Sequence, residues 1–218
     1  VEEYLFTSIN TLISIDADHL VFDELYEVFK ENGHTSDFFK SLEPFILNGD
    51  LKVLTPTILK DMVTYYVSVE KSEILEQNIC LLDLEALDID STISLLKRNN
   101  LRDSYIFIWN KLLGDYVTPL LEFLDELKMG TATADTFKVY EYLAYVLTGV
   151  QYPTDDIIEP SIADDVKMTI YYVLFNGLPV TYVNGVIKTV DDNKNKPDLA
   201  EFPYLHLLLK SDSKSFFA

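Results

Sequence analysis

Residues 99–124, NNLRDSYIFIWNKLLGDYVTPLLEFL, constrain the fold more than any other stretch of this chain. Leu101, Tyr105, Ile108, Leu112 and Leu113 recur at helical spacing, and Ile106, Phe107 and Trp109 add apolar surface on the other side. A helix that is oily nearly all round has to be covered on most of its circumference. Trp109 is therefore expected to be buried between helical hairpins. Gly114 should stop this helix, and Asp115 and Tyr116 should turn the chain. Thr118-Pro119 is expected to open the next helix as N-cap and first helical residue.

The same pattern runs along the chain. The spacing predicts a helix over 3–13 with Leu5, Ile9, Leu12 and Ile13 on one face. A second, about 19–32, is expected to be capped by Asp16 or Asp18, with Leu20, Leu25, Val28 and Phe29 inward. Pro44 suits only a first helical turn, so 35–48 reads as one broken helix or two short ones, with Ser41 as a fresh cap. Thr55-Pro56 opens a helix to about Glu70, Ser72 another to about Leu82, and Asp88–Ser91 caps one ending at Asn99. Further helices are expected at 118–129, 133–148, about 161–176 and from Pro203, with a frayed end or a further short helix over 211–218. Val180–Val190, rich in β-branched residues, is the one candidate for non-helical structure, and 188–198 reads as a flexible loop.

That makes about eleven helices with short connections. With only seven glycines, an all-β fold would lack turn residues. In a row of stacked hairpins each helix touches its own partner and the next hairpin, which accounts for helices apolar all round. The expected class is all-α, an α-solenoid of stacked helical hairpins spanning 1–218 as one segment. The chain opens on Val1 rather than methionine and is expected to be a piece of a longer protein.

The formal net charge of −19 opposes binding to nucleic acid or directly to anionic lipid, both of which need clustered cations. Lys97, Arg98 and Arg102 form the nearest cluster and read as last-turn helix cations. Any membrane location should therefore be peripheral, reached through partners. Cys80 is the only cysteine and no Asn-x-Ser/Thr signal occurs, which fits a cytoplasmic setting. Cys80 lies in an apolar run and reads as a small buried hydrophobe.

Chemistry-bearing patterns are few. Asp155, Asp156 and Glu159 form DDxxE, a pattern that holds magnesium and diphosphate when a helix aims its acids together. Pro153 and Pro160 bracket it, so it reads as a solvated loop. A helical-bundle enzyme with a metal–diphosphate site at Asp155 and Asp156 is a remote alternative. Asp88, Asp90 and Thr92 imitate a calcium loop, but Ile93 and Asn99 stand where glycine and glutamate are required; Asp90 reads as a helix cap. His19, His34 and His206 have no partner at ligand spacing. No catalytic residue, cofactor or metal is expected. Tyr65-Tyr66, Tyr140-Tyr142-Tyr145 and Tyr171-Tyr172 suit helix seams and partner surfaces alike.

Residues 99–124, followed by YEYLAYVLTGVQYP at 140–153, resemble the central region of the vacuolar protein sorting-associated protein eight family. The matching positions are Asn100, Leu101 and Asp103; then Asp115, Tyr116, Thr118, Pro119 and Leu120; then Tyr142, Leu143, Tyr145, Leu147, Thr148, Gly149, Tyr152 and Pro153. Ser104 replaces the family's usual alanine, and Trp109 stands where a tyrosine is common. Close similarity covers about 75–155, Leu42–Pro56 is looser, and 180–218 carries no motif of the family. The resemblance implies a clathrin-heavy-chain-like solenoid, lying between a propeller and a RING-type region that are not in this chain. It implies a non-enzymatic scaffold in the CORVET tethering complex, recruited to endosomal or vacuolar membranes by Rab GTPases and joined to other tethering subunits. The motif residues would then cap, turn and pack rather than bind. A generic scaffold of another coat or sorting complex is the alternative reading.

Overall fold

A computed structural model describes residues 2–176, 180–183, 186–189 and 202–218. The chain divides into two compact units, Val1–Tyr105 and Ile106–Ala218. Among the described residues there are twelve α-helices and one two-stranded hairpin, so the all-α class and the helical-repeat architecture hold.

In the first unit α1 (Glu2–Ser14) is followed by a π-helical turn (Val21–Tyr26) that runs into α2 (Glu27–Glu31). Then come α3 (Thr35–Leu47), α4 (Pro56–Ser68), α5 (Ser72–Leu81), α6 (Ile89–Arg98) and the start of α7 (Arg102–Lys111). Helix α3 is the hub, packing against α1, α2, α4 and α5. Its Phe38, Phe39, Leu42, Phe45 and Ile46 are buried. Tyr26, Phe38, Phe39, Tyr65 and Tyr66 form a chain of edge and stacked contacts with centroids 4.9–5.7 Å apart.

Four sequence expectations fail in this unit. Neither Asp16 nor Asp18 caps the second helix by a side chain; Leu20 stands at its start with no such bond. The π turn hydrogen-bonds five residues apart and so rotates the side chains of α2 about the helix axis. The buried set is therefore Val21, Phe22 and Tyr26, while Val28, expected inward, is 54% exposed. Residues 35–47 form a single helix that carries Pro44 in its interior, and Ser41 is a buried mid-helix residue, not a cap. On α6 the cap is Asp88, whose carboxylate accepts from Ser91 N at 2.7 Å; Asp90 lies in the first turn.

The second unit continues α7, then holds α8 (Val117–Met129) and a 3₁₀ turn (Ala134–Phe137) leading into α9 (Lys138–Leu147). Helix α10 (Pro160–Asn176), strands β1 (Val180–Val183) and β2 (Val186–Thr189), α11 (Pro203–Ser211) and α12 (Ser213–Phe216) complete it. Helix α10 packs on α8, α9 and α11, and α11 also rests on α8. The strands pair antiparallel with Val180 opposite Thr189, within the segment expected to be non-helical. Of the predicted loop at 188–198, Lys188 and Thr189 belong to β2; residues 190–198 lie outside the described residues.

On α7, Ser104, Tyr105, Ile106, Phe107, Ile108 and Asn110 are all buried, so the helix is indeed covered on most sides. Trp109 is only half-buried and Leu113 is exposed, contrary to expectation.

Candidate functional site

The motif residues fall at four places. At the first, Asn100 sits in the left-handed region (φ 55°) and ends α6, and Leu101 behind it is fully buried. The N-terminus of α7 is capped from another helix. Glu76 of α5 accepts from the backbone N–H of Asp103 at 2.9 Å and of Ser104 at 3.2 Å. A carboxylate facing the first turn satisfies orphan donors and meets the positive end of the helix dipole.

The second place is the corner after α7. Gly114 turns it with φ 62°. Asp115, not Thr118, supplies the capping side chain of α8 from one residue before its N-cap, Tyr116: its carboxylate accepts from Val117 N at 2.8 Å, Thr118 N at 2.9 Å and the Thr118 hydroxyl at 2.7 Å. Pro119 therefore occupies the third helical position rather than the first. That costs nothing, because an N–H there has no intrahelical acceptor.

The third place joins residues far apart in sequence. Tyr142 on α9 is fully buried, and its hydroxyl donates to the Tyr116 carbonyl at 2.7 Å, with Asn110 Oδ1 3.2 Å away. The Tyr116 hydroxyl donates to Gln151 Oε1 at 2.9 Å. Tyr152 lies edge-on to Tyr142 (5.8 Å) and Tyr145 (5.4 Å). Burial drives the Tyr142 phenol well above its ordinary value of 10.0, so it stays a neutral donor.

The fourth is the loop from Gly149 to Glu159. Gly149 has φ 81°, which a side chain would strain. Gln151 N donates to the Asp156 carbonyl at 2.6 Å, and Ile158 N to the Gly149 carbonyl at 2.9 Å. Tyr152 and Ile158 are buried, Pro153 is half-buried, and Asp155, Asp156, Ile157 and Glu159 are exposed. Two of the acids are committed locally, Asp156 accepting from the Thr154 hydroxyl at 2.9 Å and Glu159 from Ser161 at 2.6 Å, while the Asp155 carboxylate beside the Tyr145 hydroxyl pushes that phenol up. No group of three metal-ligating side chains occurs among the described residues.

In the first unit, sequence reasoning missed one polar network. Asp61 on α4 accepts from the Tyr26 hydroxyl at 2.6 Å and from Lys30 Nζ at 2.8 Å. Partial burial alone would raise the Asp61 carboxyl, but the bonds from Lys30 and Tyr26 outweigh it and hold it below the ordinary carboxylate value. Cys80 is half-buried; burial, then the nearby Glu76 and Asp103 carboxylates, push its thiol up, away from a reactive thiolate. His19 and His206 are exposed, and His34 pairs with Asp37 at 3.0 Å. Of the tyrosine pairs, Tyr66 and Tyr142 are buried, Tyr65, Tyr140, Tyr145 and Tyr172 half-buried, and Tyr171 exposed.

Residues 38–218 match the family model described as Vps8 central TPR. The chain belongs to that family. Over 191 residues it is 27% identical to vacuolar protein sorting-associated protein 8 of Saccharomyces cerevisiae, covering 83% of this chain and 15% of the yeast protein. The human homolog is 25% identical over 207 residues, covering 90% of the chain and 14% of that protein. The Schizosaccharomyces pombe protein is 25% identical over 203 residues, 90% of the chain and 15% of its own length. The chain thus spans about 15% of the curated relatives it matches, and the names of those relatives assign them to vacuolar protein sorting. No helix among the described residues is long and apolar enough to cross a membrane.

Proposed function

We propose that this chain is one continuous, non-enzymatic scaffold segment of an endosomal tethering complex of the CORVET kind. It acts in vesicle-mediated transport and vacuolar sorting, held in the cytoplasm and peripherally on endosomal or vacuolar membranes. Its partners are other tethering subunits and a Rab GTPase that recruits the assembly. The family match over residues 38–218 carries this reading. Two features support it. The motif residues at 100–103, 115–119 and 149–153 cap helices, turn corners and pack seams, leaving the exterior for docking. The DDxxE acids sit in a loop where each carboxylate has a nearby hydroxyl, so they form no convergent ligand set.

Affinity capture on the protein, followed by identification of endosomal Rab proteins and tethering subunits, tests it. Enrichment of both is expected. Capture of subunits of a different coat would reassign the scaffold. Calorimetric binding of magnesium with a diphosphate that is lost on Asp155→Ala would replace a scaffold with an enzyme.

A further inference from the structure

We propose that a groove beside α1 and α2 docks a cationic, leucine-bearing segment of a partner protein. The groove holds about 390 Å³ and is lined by Tyr4, Val28, Phe29, Asn32 and His34. It exists because of the π turn. Helical spacing would send Val28 and Phe29 into the core; the turn leaves Val28 54% exposed and Phe29 half-buried, facing Tyr4, which is 72% exposed. Apolar side chains that the fold does not need to bury gather at one place, as at a docking surface. Phe29 is steadied by an edge contact with His34 at 6.3 Å, so one wall of the groove is preformed.

Charge selects the occupant. Residues 2–39 carry nine Asp and Glu against a single Lys. Glu3, Glu27 and Glu31 adjoin lining residues and are exposed. The one cation, Lys30, is held by Asp61 at 2.8 Å and lies over the Tyr26 ring. An apolar slot set in an acidic stretch of chain fits aliphatic anchors flanked by Lys or Arg; the surrounding negative charge steers approach and the slot supplies hold. This rests on the scaffold reading only in needing a protein partner. Failure of affinity capture with peptide binding intact would sink that reading and spare this one.

The test is fluorescence anisotropy with three labelled peptides. The first carries two leucines one helical turn apart between lysine pairs, the second replaces the leucines by alanine, and the third replaces the lysines by glutamate. The first should bind at least about tenfold more tightly than either of the others, and added salt should weaken it. Val28→Asp should reduce its binding by about tenfold or more. Glu27→Lys with Glu31→Lys, two exposed acids beside lining residues in sequence, should also weaken it and shift preference toward the glutamate peptide. Equal binding of the alanine peptide, or no effect of Val28→Asp in a variant with an unchanged melt, would overturn the proposal. So would loss of binding in a longer form of the protein that retains it in the 218-residue chain, because the protein's own flanking segment would then fill the groove.

Discussion

Removing one oxygen from Tyr116 tests the seam that ties the corner to the loop. The ring is 4% exposed and so is Gln151, and their hydrogen bond is 2.9 Å long. Tyr116→Phe preserves the shape and removes only the donor. A net hydrogen bond is worth about 1 kcal/mol, and a buried acceptor left unsatisfied raises the loss to about 2 kcal/mol. For a chain of this length about 2–4 °C accompanies each kcal/mol, so the melting temperature should fall by about 4–8 °C. Gln151→Leu removes the acceptor, together with its 3.3 Å bond to the Tyr152 carbonyl. The double variant should then be less destabilised than the two singles summed, by about 1 kcal/mol or more. Far-UV dichroism melts of all four proteins supply the cycle. A Tyr116→Phe midpoint within about 1 °C of the parent, or strict additivity in the double variant, would refute the coupling.

Asp115→Ala should cost about 1–2 kcal/mol in urea melts, since it removes the cap of α8, whereas Thr118→Ala should cost less. Glu76→Ala should destabilise by about 1–2 kcal/mol and raise hydrogen exchange at the Asp103 and Ser104 amides. Trp109→Ala should fall short of the roughly 3–5 kcal/mol of a fully buried tryptophan, because the residue is only partly buried. The Asp61 carboxyl sits below its ordinary value in the folded chain, so its contribution is present at neutral pH and is lost as pH falls through that lowered value. Asp61→Asn should therefore flatten the acid limb of a stability–pH curve. On the alkaline side the buried Tyr142, raised above 10.0, should make stability fall as pH rises past that value, and Tyr142→Phe should lessen the fall.

The features legible in the sequence are the local ones. Thr55-Pro56 opens α4 with the threonine accepting from Ile58 N at 3.3 Å, and Gly130 closes α8 in the left-handed region at φ 71°. Such signals lie within a turn of the residues they organise. The misplaced features depend on contacts distant along the chain. Glu76 caps a helix that begins some 27 residues later, and Tyr116 finds Gln151 at a separation of 35. No spacing rule predicts either. The π turn defeats periodicity in another way, because 3.6-residue counting applied across Val21–Tyr26 assigns the next helix to the wrong face. Pro44 misleads for a third reason. Its helix is packed by four neighbours, and that packing outweighs the lost backbone bond. In the motif region the residue identities are legible, but not the division of labour: Asp115 does the capping that Thr118-Pro119 advertises.

Cross-linking mass spectrometry on the assembled complex, purified from cells through the protein that contains this chain, tests the scaffold account most directly. Cross-links from lysines of this chain to other tethering subunits are predicted, with links inside each unit matching the packed helix pairs. An assembly in which this segment links to no other subunit, while the remainder of the protein does, would contradict it.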